Sequence, residues 1–382
     1  MKVLFIQPKL SRYAYKQIYT LSHLNDVETY LLYKKPDVSV RDAELLERRC
    51  QGVCKNLPHL RYPYQYKVFV RKLRKLIDKW KIDLICAYSM PDDLVVASIE
   101  TRSVPVVYCV RDLTSTFSPQ LLASRVLPKE IVYAKTVGKI PSYIVYRYIS
   151  FIEKKSMEES DARIFSSPCM LDYARHRYKI DGFNLVFLNY VLKEEIPSSS
   201  REKLSNKIGG VHIGFAGNIT ISDRYRNFLP FFMKLAKNKI HVHMHVVSGD
   251  ENSLQVCKKA AGKNKYLHFY PPMSPKKVIE SLSAYDFGIL PFETELKYYD
   301  TILPNKLFDY IAAGIPIISS NVKCIKNFII KHNIGFYYKD LEDLTEELKR
   351  IDSTRFKVER TKFLMEKHID ELLDFYKKVL QS

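Results

Sequence analysis

The sequence predicts an α/β fold of two doubly wound domains, each a parallel sheet with helices on both faces. Three observations predict it. Short apolar runs suited to buried strands recur along the chain, separated by segments of helical periodicity. The length of 382 residues suffices for two domains of ordinary size. Residues 197–207 are rich in Ser and charge and poor in apolar side chains, as a linker should be. The expected division is residues 1–200, residues 208–352 and a helical tail over residues 353–382.

Composition narrows the partners. Hydrophobic residues make up 46% and aromatics 13%, which places the chain among globular proteins. Lys and Arg number 61 against 42 Asp and Glu, a net charge of +19 that attracts anions. No RNA-binding aromatic motif, zinc-finger spacing or basic tail accompanies that charge, so nucleic acid is not expected. A nucleotide or an anionic membrane face suits it better. Residues 1–8 read as a strand rather than the start of a signal peptide, and no run approaches the ~20 apolar residues needed to span a bilayer. Seven cysteines, an odd number lying mostly in apolar segments, read as reduced thiols. The expected location is cytoplasmic, with peripheral contact at the inner membrane face.

In chain order, residues 2–7 form the first strand. The residues 8–13 that follow hold no glycine, so a loop there faces an acceptor rather than a phosphate. Residues 17–24 read as helix and 27–33 as strand. Residues 66–81 form an amphipathic basic helix, with Arg71, Lys72, Arg74 and Lys75 interleaved among apolar positions. Such a helix packs on a sheet with its cations reaching water, or touches a membrane surface. Residues 83–88 and 104–110 are strands, and the carboxyl ends of such strands are where open α/β sheets bind ligands. Residues 140–152 are Tyr-rich and apolar but interrupted by Pro141 and Arg147.

The second domain opens with the strand 211–216 and then Gly217-Asn218, where only glycine permits a close backbone approach. His241, His243 and His245 alternate along a strand and share one face. Neighbours two apart on a strand stand ~6.5–7 Å apart, too far to converge easily on one ion, so they read as structural. Ser274 and Pro275 start a helix, and residues 284–292 form a further strand.

The most informative stretch is residues 304–320, PNKLFDYIAAGIPIISS. Pro304 opens a helix, Asn305 caps it, and Gly314 ends it in a left-handed conformation before an apolar strand. A helix start favours an anion, Lys306 adds a full positive charge, and Asp309 lies one turn on, able to accept from sugar hydroxyls.

This stretch resembles the donor-site segment of GT-B glycosyltransferases, especially the family 4-like group, whose members often read close to PNKLFEYMAAGKPVI. The resemblance covers most of the chain and is strongest over residues 211–337. It implies two Rossmann-like domains facing across a cleft, with the acceptor in the first and the donor in the second. It implies sugar transfer from a nucleotide diphospho-sugar, a co-substrate rather than a bound cofactor, to a glycan or lipid-linked acceptor.

Residue by residue, the resemblance places Gly217, Asn218, Gly249, Met273, Pro304, Asn305, Lys306 and Asp309 around the nucleotide sugar. The family's basic residues after the glycine are out of register, so Arg224 or Arg226 takes their part. Thr301 stands where the family has the first of two Glu residues, leaving the donor-sugar role to Glu293 or Glu295. Asp112, after the strand 104–110, is the acidic candidate on the acceptor side. Catalysis is expected from Lys306, Asp112 and Glu293, without a metal, since no Asp-x-Asp motif is present. The family retains anomeric configuration, while Asp112 as a base leaves inversion open. An epimerase or hydrolase of nucleotide sugars and a non-catalytic sugar-nucleotide-binding protein are the other classes considered.

Overall fold

The computed structural model describes all residues except 56, 58–62, 90–91, 120–121, 123–138, 200, 247–249 and 293–294. The chain forms two compact units, Met1–Leu188 with Met365–Ser382, and Asn189–Leu364.

Among the described residues the first unit holds seven strands: β1 (Lys2–Leu10), β2 (Glu28–Pro36), β3 (Gly52–Cys54), β4 (Leu84–Tyr88), β5 (Val106–Val110), β6 (Ala162–Phe165) and β7 (Phe183–Val186). They lie in the order β3-β2-β1-β4-β5-β6-β7, all parallel. β4 and β5 are buried at every position, which explains their unbroken apolar sequences. The helices Arg12–Leu21 and Met365–Gln381 pack together in this unit, and the Tyr376 hydroxyl donates to Cys86 Sγ at 3.4 Å. All seven cysteines are free thiols.

The second unit holds β8 (His212–Gly217), β9 (His241–Val246), β10 (Leu267–Tyr270), β11 (Phe287–Leu290), β12 (Ile317–Ser320) and β13 (Gly335–Tyr338). Their order is β10-β9-β8-β11-β12-β13, again parallel. Both sheets reverse their winding beside their first strand, between β1 and β4 and between β8 and β11. In doubly wound sheets a ligand binds outside the carboxyl ends at that reversal. The helix Asn305–Ala313 is tied to it: the Tyr310 hydroxyl donates to Ile289 O at 2.9 Å and accepts from Ala216 N at 3.2 Å. Gly288 makes this packing possible, because any Cβ there would overlap the Tyr310 ring.

Three local expectations need correction. β1 runs to Leu10 and the next helix begins at Arg12, so no acceptor-facing loop over residues 8–13 exists. Ser11 alone makes the junction, its Oγ accepting from Ala14 N at 3.3 Å. The segment 197–207 is not a free linker but lies inside the second unit. Its polar side chains are spent on docking: Lys203 Nζ donates to Tyr285 O at 2.5 Å and Ser205 Oγ to Asp286 Oδ1 at 2.5 Å. The chain crosses between units at Leu188–Asn189 and Leu364–Met365, where Val191 N donates to Phe363 O at 2.8 Å. Finally, Ser274 occupies the cap position of the helix Pro275–Leu282 without making a side-chain cap bond.

Candidate active site

The helix Asn305–Ala313 shows how its sequence builds an anion site. Pro304, extended at φ −72° and ψ 152°, is the cap residue and supplies no side-chain acceptor. Asn305 is the first helical residue rather than the cap. Its Oδ1 accepts instead from Nδ2 of Asn189, which is 3% exposed. The first-turn N–H groups therefore have no side-chain cap to satisfy them, and they carry the positive end of the helix dipole. Gly314 ends the helix at φ 73°, where an added Cβ would also overlap the Arg360 guanidinium.

Lys306 is half-buried, with its head enclosed by rings. Nζ lies 4.3 Å from the centroid of Phe215, 5.1 Å from Phe292 and 5.5 Å from Phe228. Among the described residues Nζ makes no ion pair or hydrogen bond. Burial, and Arg226 nearby, pull its pKa down to about 7, against the opposing charge of Asp309. Gly217, the last residue of β8, makes room for it: a Cβ there would lie 2.7 Å from Nζ. The structure thus brings together Gly217, Lys306, Asp309 and the open helix start at the sheet reversal. A cation held by ring faces, with no ion-pair or hydrogen-bond partner among the described residues, is poised to receive an anion.

The remaining predicted residues are distributed as follows. Asn218 is exposed beside Gly217 and Met273 is half-buried before its helix. Arg224 is exposed and paired with Glu295 at 3.3 Å. Arg226 is the arginine whose charge reaches Lys306. Thr301 is buried and its hydroxyl donates to Tyr298 O at 2.9 Å, a helix-end bond that occupies it. Gly249 and Glu293 lie outside the described residues. In the first unit, Asp112 is half-buried past β5. The next turn is held by the buried Glu153, whose Oε2 accepts from Thr114 Oγ1 at 2.5 Å and from Ser115 N at 3.2 Å.

The ring cage was not anticipated from sequence. Phe215, Phe228 and Phe292 come from three separate segments, and each alone reads as core. The signal lay in β8, where Phe215 stands two residues before Gly217 and so points to the same side.

The histidines line one face of β9, as expected, and join two more from neighbouring strands. His212 pairs with His241 in register and His268 with His243. His212 Nδ1 and His243 Nε2 lie 2.8 Å apart, His241 Nδ1 and His268 Nε2 3.0 Å, and His245 Nε2 and the Tyr285 hydroxyl 2.8 Å. Burial lowers the pKa of His241 and His245 to about 4 and of His243 to about 2. Among the described residues no group of His, Cys, Asp and Glu is arranged to hold a metal ion.

Comparison with solved structures places the whole chain. Sucrose-phosphate synthase from Thermosynechococcus elongatus superposes with a TM-score of 0.69 at 13% identity, covering 100% of this chain and 99% of that one. A glycosyltransferase from Rickettsia africae gives 0.69 at 14% identity over the same shares. The fold is GT-B. Anabaena HepE, a GT-B structure solved with UDP and glucose, gives 0.65 at 12% identity over 99% of each chain. Residues 231–369, which include the Lys306 helix, match the family model described as glucosyltransferase 3-like, C-terminal domain. No curated protein sequence matches the chain significantly.

Proposed function

We propose that this chain is a glycosyltransferase that moves a sugar from a nucleotide diphospho-sugar to a glycan or lipid-linked acceptor. The observation that carries the reading is Lys306, an ammonium with no ion-pair or hydrogen-bond partner among the described residues, seated on Gly217 at an uncapped helix start. That arrangement suits the diphosphate of a donor. As the glycosidic bond to the donor breaks, negative charge grows on the leaving diphosphate. Lys306 and the first-turn N–H groups then stabilise that charge, the work a divalent cation does elsewhere. Asp309, one turn along, accepts from ribose hydroxyls. Asp112, in the first unit, is the proposed acidic group on the acceptor side. The transferred group is a hexose and its configuration is retained, as the family resemblance implies.

A thermal-shift screen of UDP-, GDP- and ADP-sugars in excess chelator tests the donor class, because a ligand that binds only the folded state raises the melting temperature. One of them should stabilise the protein. Product analysis with donor alone and with donor plus acceptor glycan then tests transfer. Stabilisation that depends strictly on magnesium or manganese would overturn the metal-free mechanism. An altered sugar formed from donor alone would point to epimerisation or hydrolysis instead.

A further inference from the structure

Exposed large apolar side chains collect on one helix of the first unit. On Lys139–Glu159, Ile144 is 62% exposed, Tyr148 55% and Phe151 63%, with Tyr143 at 56% beside them. The spacing of Ile144, Tyr148 and Phe151 puts them on one stripe of the helix. Arg147 and Lys154 are exposed on the same side. Aliphatic and aromatic side chains with tyrosine hydroxyls and interspersed cations are the composition of a helix lying in a bilayer interface. Among the described residues no helix is long and apolar enough to cross a membrane.

The surroundings extend this surface. The helix Asp93–Ile99 packs between Lys139–Glu159 and Pro63–Trp80. The Tyr148 hydroxyl donates to Asp93 Oδ1 at 3.0 Å, and Lys155 pairs with Glu100 at 3.0 Å. From the other side, Arg74 Nη2 donates to Glu100 O at 3.0 Å. Pro63–Trp80 exposes Val68, 57% accessible, between Lys67 and Arg71. Two helices thus present apolar side chains flanked by cations, joined through a third.

We infer that this surface docks on an anionic phospholipid bilayer, with Ile144, Tyr148 and Phe151 entering the headgroup region and the flanking cations meeting lipid phosphates. Charge decides between this occupant and a second copy of the chain. A symmetric pairing through this face would bring the Arg147 and Lys154 cations of both copies into one interface, on molecules that each carry +19. An anionic leaflet attracts the same cations. The placement also has a consequence for the acceptor. Glu153 of the same helix holds the turn just after Asp112, and the Tyr146 hydroxyl donates to Ser115 O at 3.4 Å. A docked bilayer would therefore lie near the carboxyl edge of the first sheet, where a lipid-linked acceptor is needed. Docking itself does not depend on the sugar-transfer reading.

The test is co-sedimentation of the full chain with vesicles of phosphatidylcholine alone or mixed with phosphatidylglycerol, at rising salt. Binding should require phosphatidylglycerol and weaken with salt. The double variant Ile144→Ser, Phe151→Ser should bind about tenfold more weakly while keeping the parent melting temperature, since both side chains are already exposed. Absence of binding at low salt overturns the inference, as does binding that the double variant leaves unchanged. Sedimentation equilibrium supplies a third arm: a dimer of the parent that the double variant disperses assigns the face to a second copy and also overturns it. A chain that binds vesicles but transfers no sugar leaves docking intact and removes only the functional reading.

Discussion

The two sheets share one strand order over six strands, the first adding β7 at its edge, but differ at the reversal point. In the first unit β1 runs straight into its helix through Ser11, whose side chain caps the helix by accepting from Ala14 N. In the second, β8 stops at Gly217, the next helix waits until Leu229, and the head of Lys306 fills the space the glycine leaves. The same topology thus yields a closed junction in one unit and an open, cationic one in the other. Topology fixes where a ligand can sit, and the residues at the junction fix whether an anion will sit there.

The largest expected effect breaks the open junction. Lys306→Ala should slow sugar transfer roughly 10²–10³-fold, the scale for losing one preorganised charge partner of a transition state. The matching change in the closed junction, Ser11→Ala, should cost ~1 kcal/mol of stability and leave transfer kinetics alone. Similar kinetic losses from both would erase the contrast between the units. Next in size is a dependence on pH. Burial and Arg226 pull Lys306 down to about 7 in the free protein, and in the proposed reading it binds a diphosphate only when protonated. Donor affinity should therefore be full below pH 7 and fall as pH rises above it, by up to about tenfold per pH unit. Lys306→Arg should flatten this profile, because a guanidinium stays charged. A UDP-sugar is the right probe, since its diphosphate does not titrate in this range.

Gly217→Ala sharpens the comparison at smaller scale. The added methyl pushes the ammonium off its seat and strains the backbone at φ +159°, so it should weaken donor binding about tenfold and lower the melting temperature. Calorimetry on the folded variant checks this, and unchanged affinity would show that the seat of Nζ is not used.

The smallest expected difference is in acid stability. The second unit buries His212, His243 and His245, and burial lowers their pKa values; among the described residues the first unit buries no histidine. These groups stay neutral when folded and take up protons when unfolded. Their contribution is therefore present above pH ~6.5 and lost as pH falls from there toward 4. Trp80, the single tryptophan, lies in the first unit and reports on it alone. On acidification, circular dichroism should show an early thermal transition that Trp80 fluorescence does not follow. Coincident transitions at pH 5 would contradict it.

Much of this was legible in the sequence, and the reasons are physical. Buried parallel strands such as β4, β5 and β8 announce themselves as apolar runs, and Gly314 marks its helix end because few other residues adopt φ 73°. The helix Asn305–Ala313 and Lys306 were legible because a local motif of consecutive residues builds them. What needed the structure is non-local. The three rings around Lys306 converge from β8, the cap of the helix Leu229–Lys237 and the segment just after β11. The extra histidines join through strand register, and segment 197–207 looked free because its anchors, Tyr285 and Asp286, lie some eighty residues away.

The most direct test of the central claim is calorimetric titration of UDP, GDP and ADP into the parent and Lys306→Ala in excess chelator. The account predicts that one of the three binds the parent without metal and binds the variant at least tenfold more weakly. Equal affinity for parent and variant, with both folded, would place the diphosphate elsewhere and contradict it.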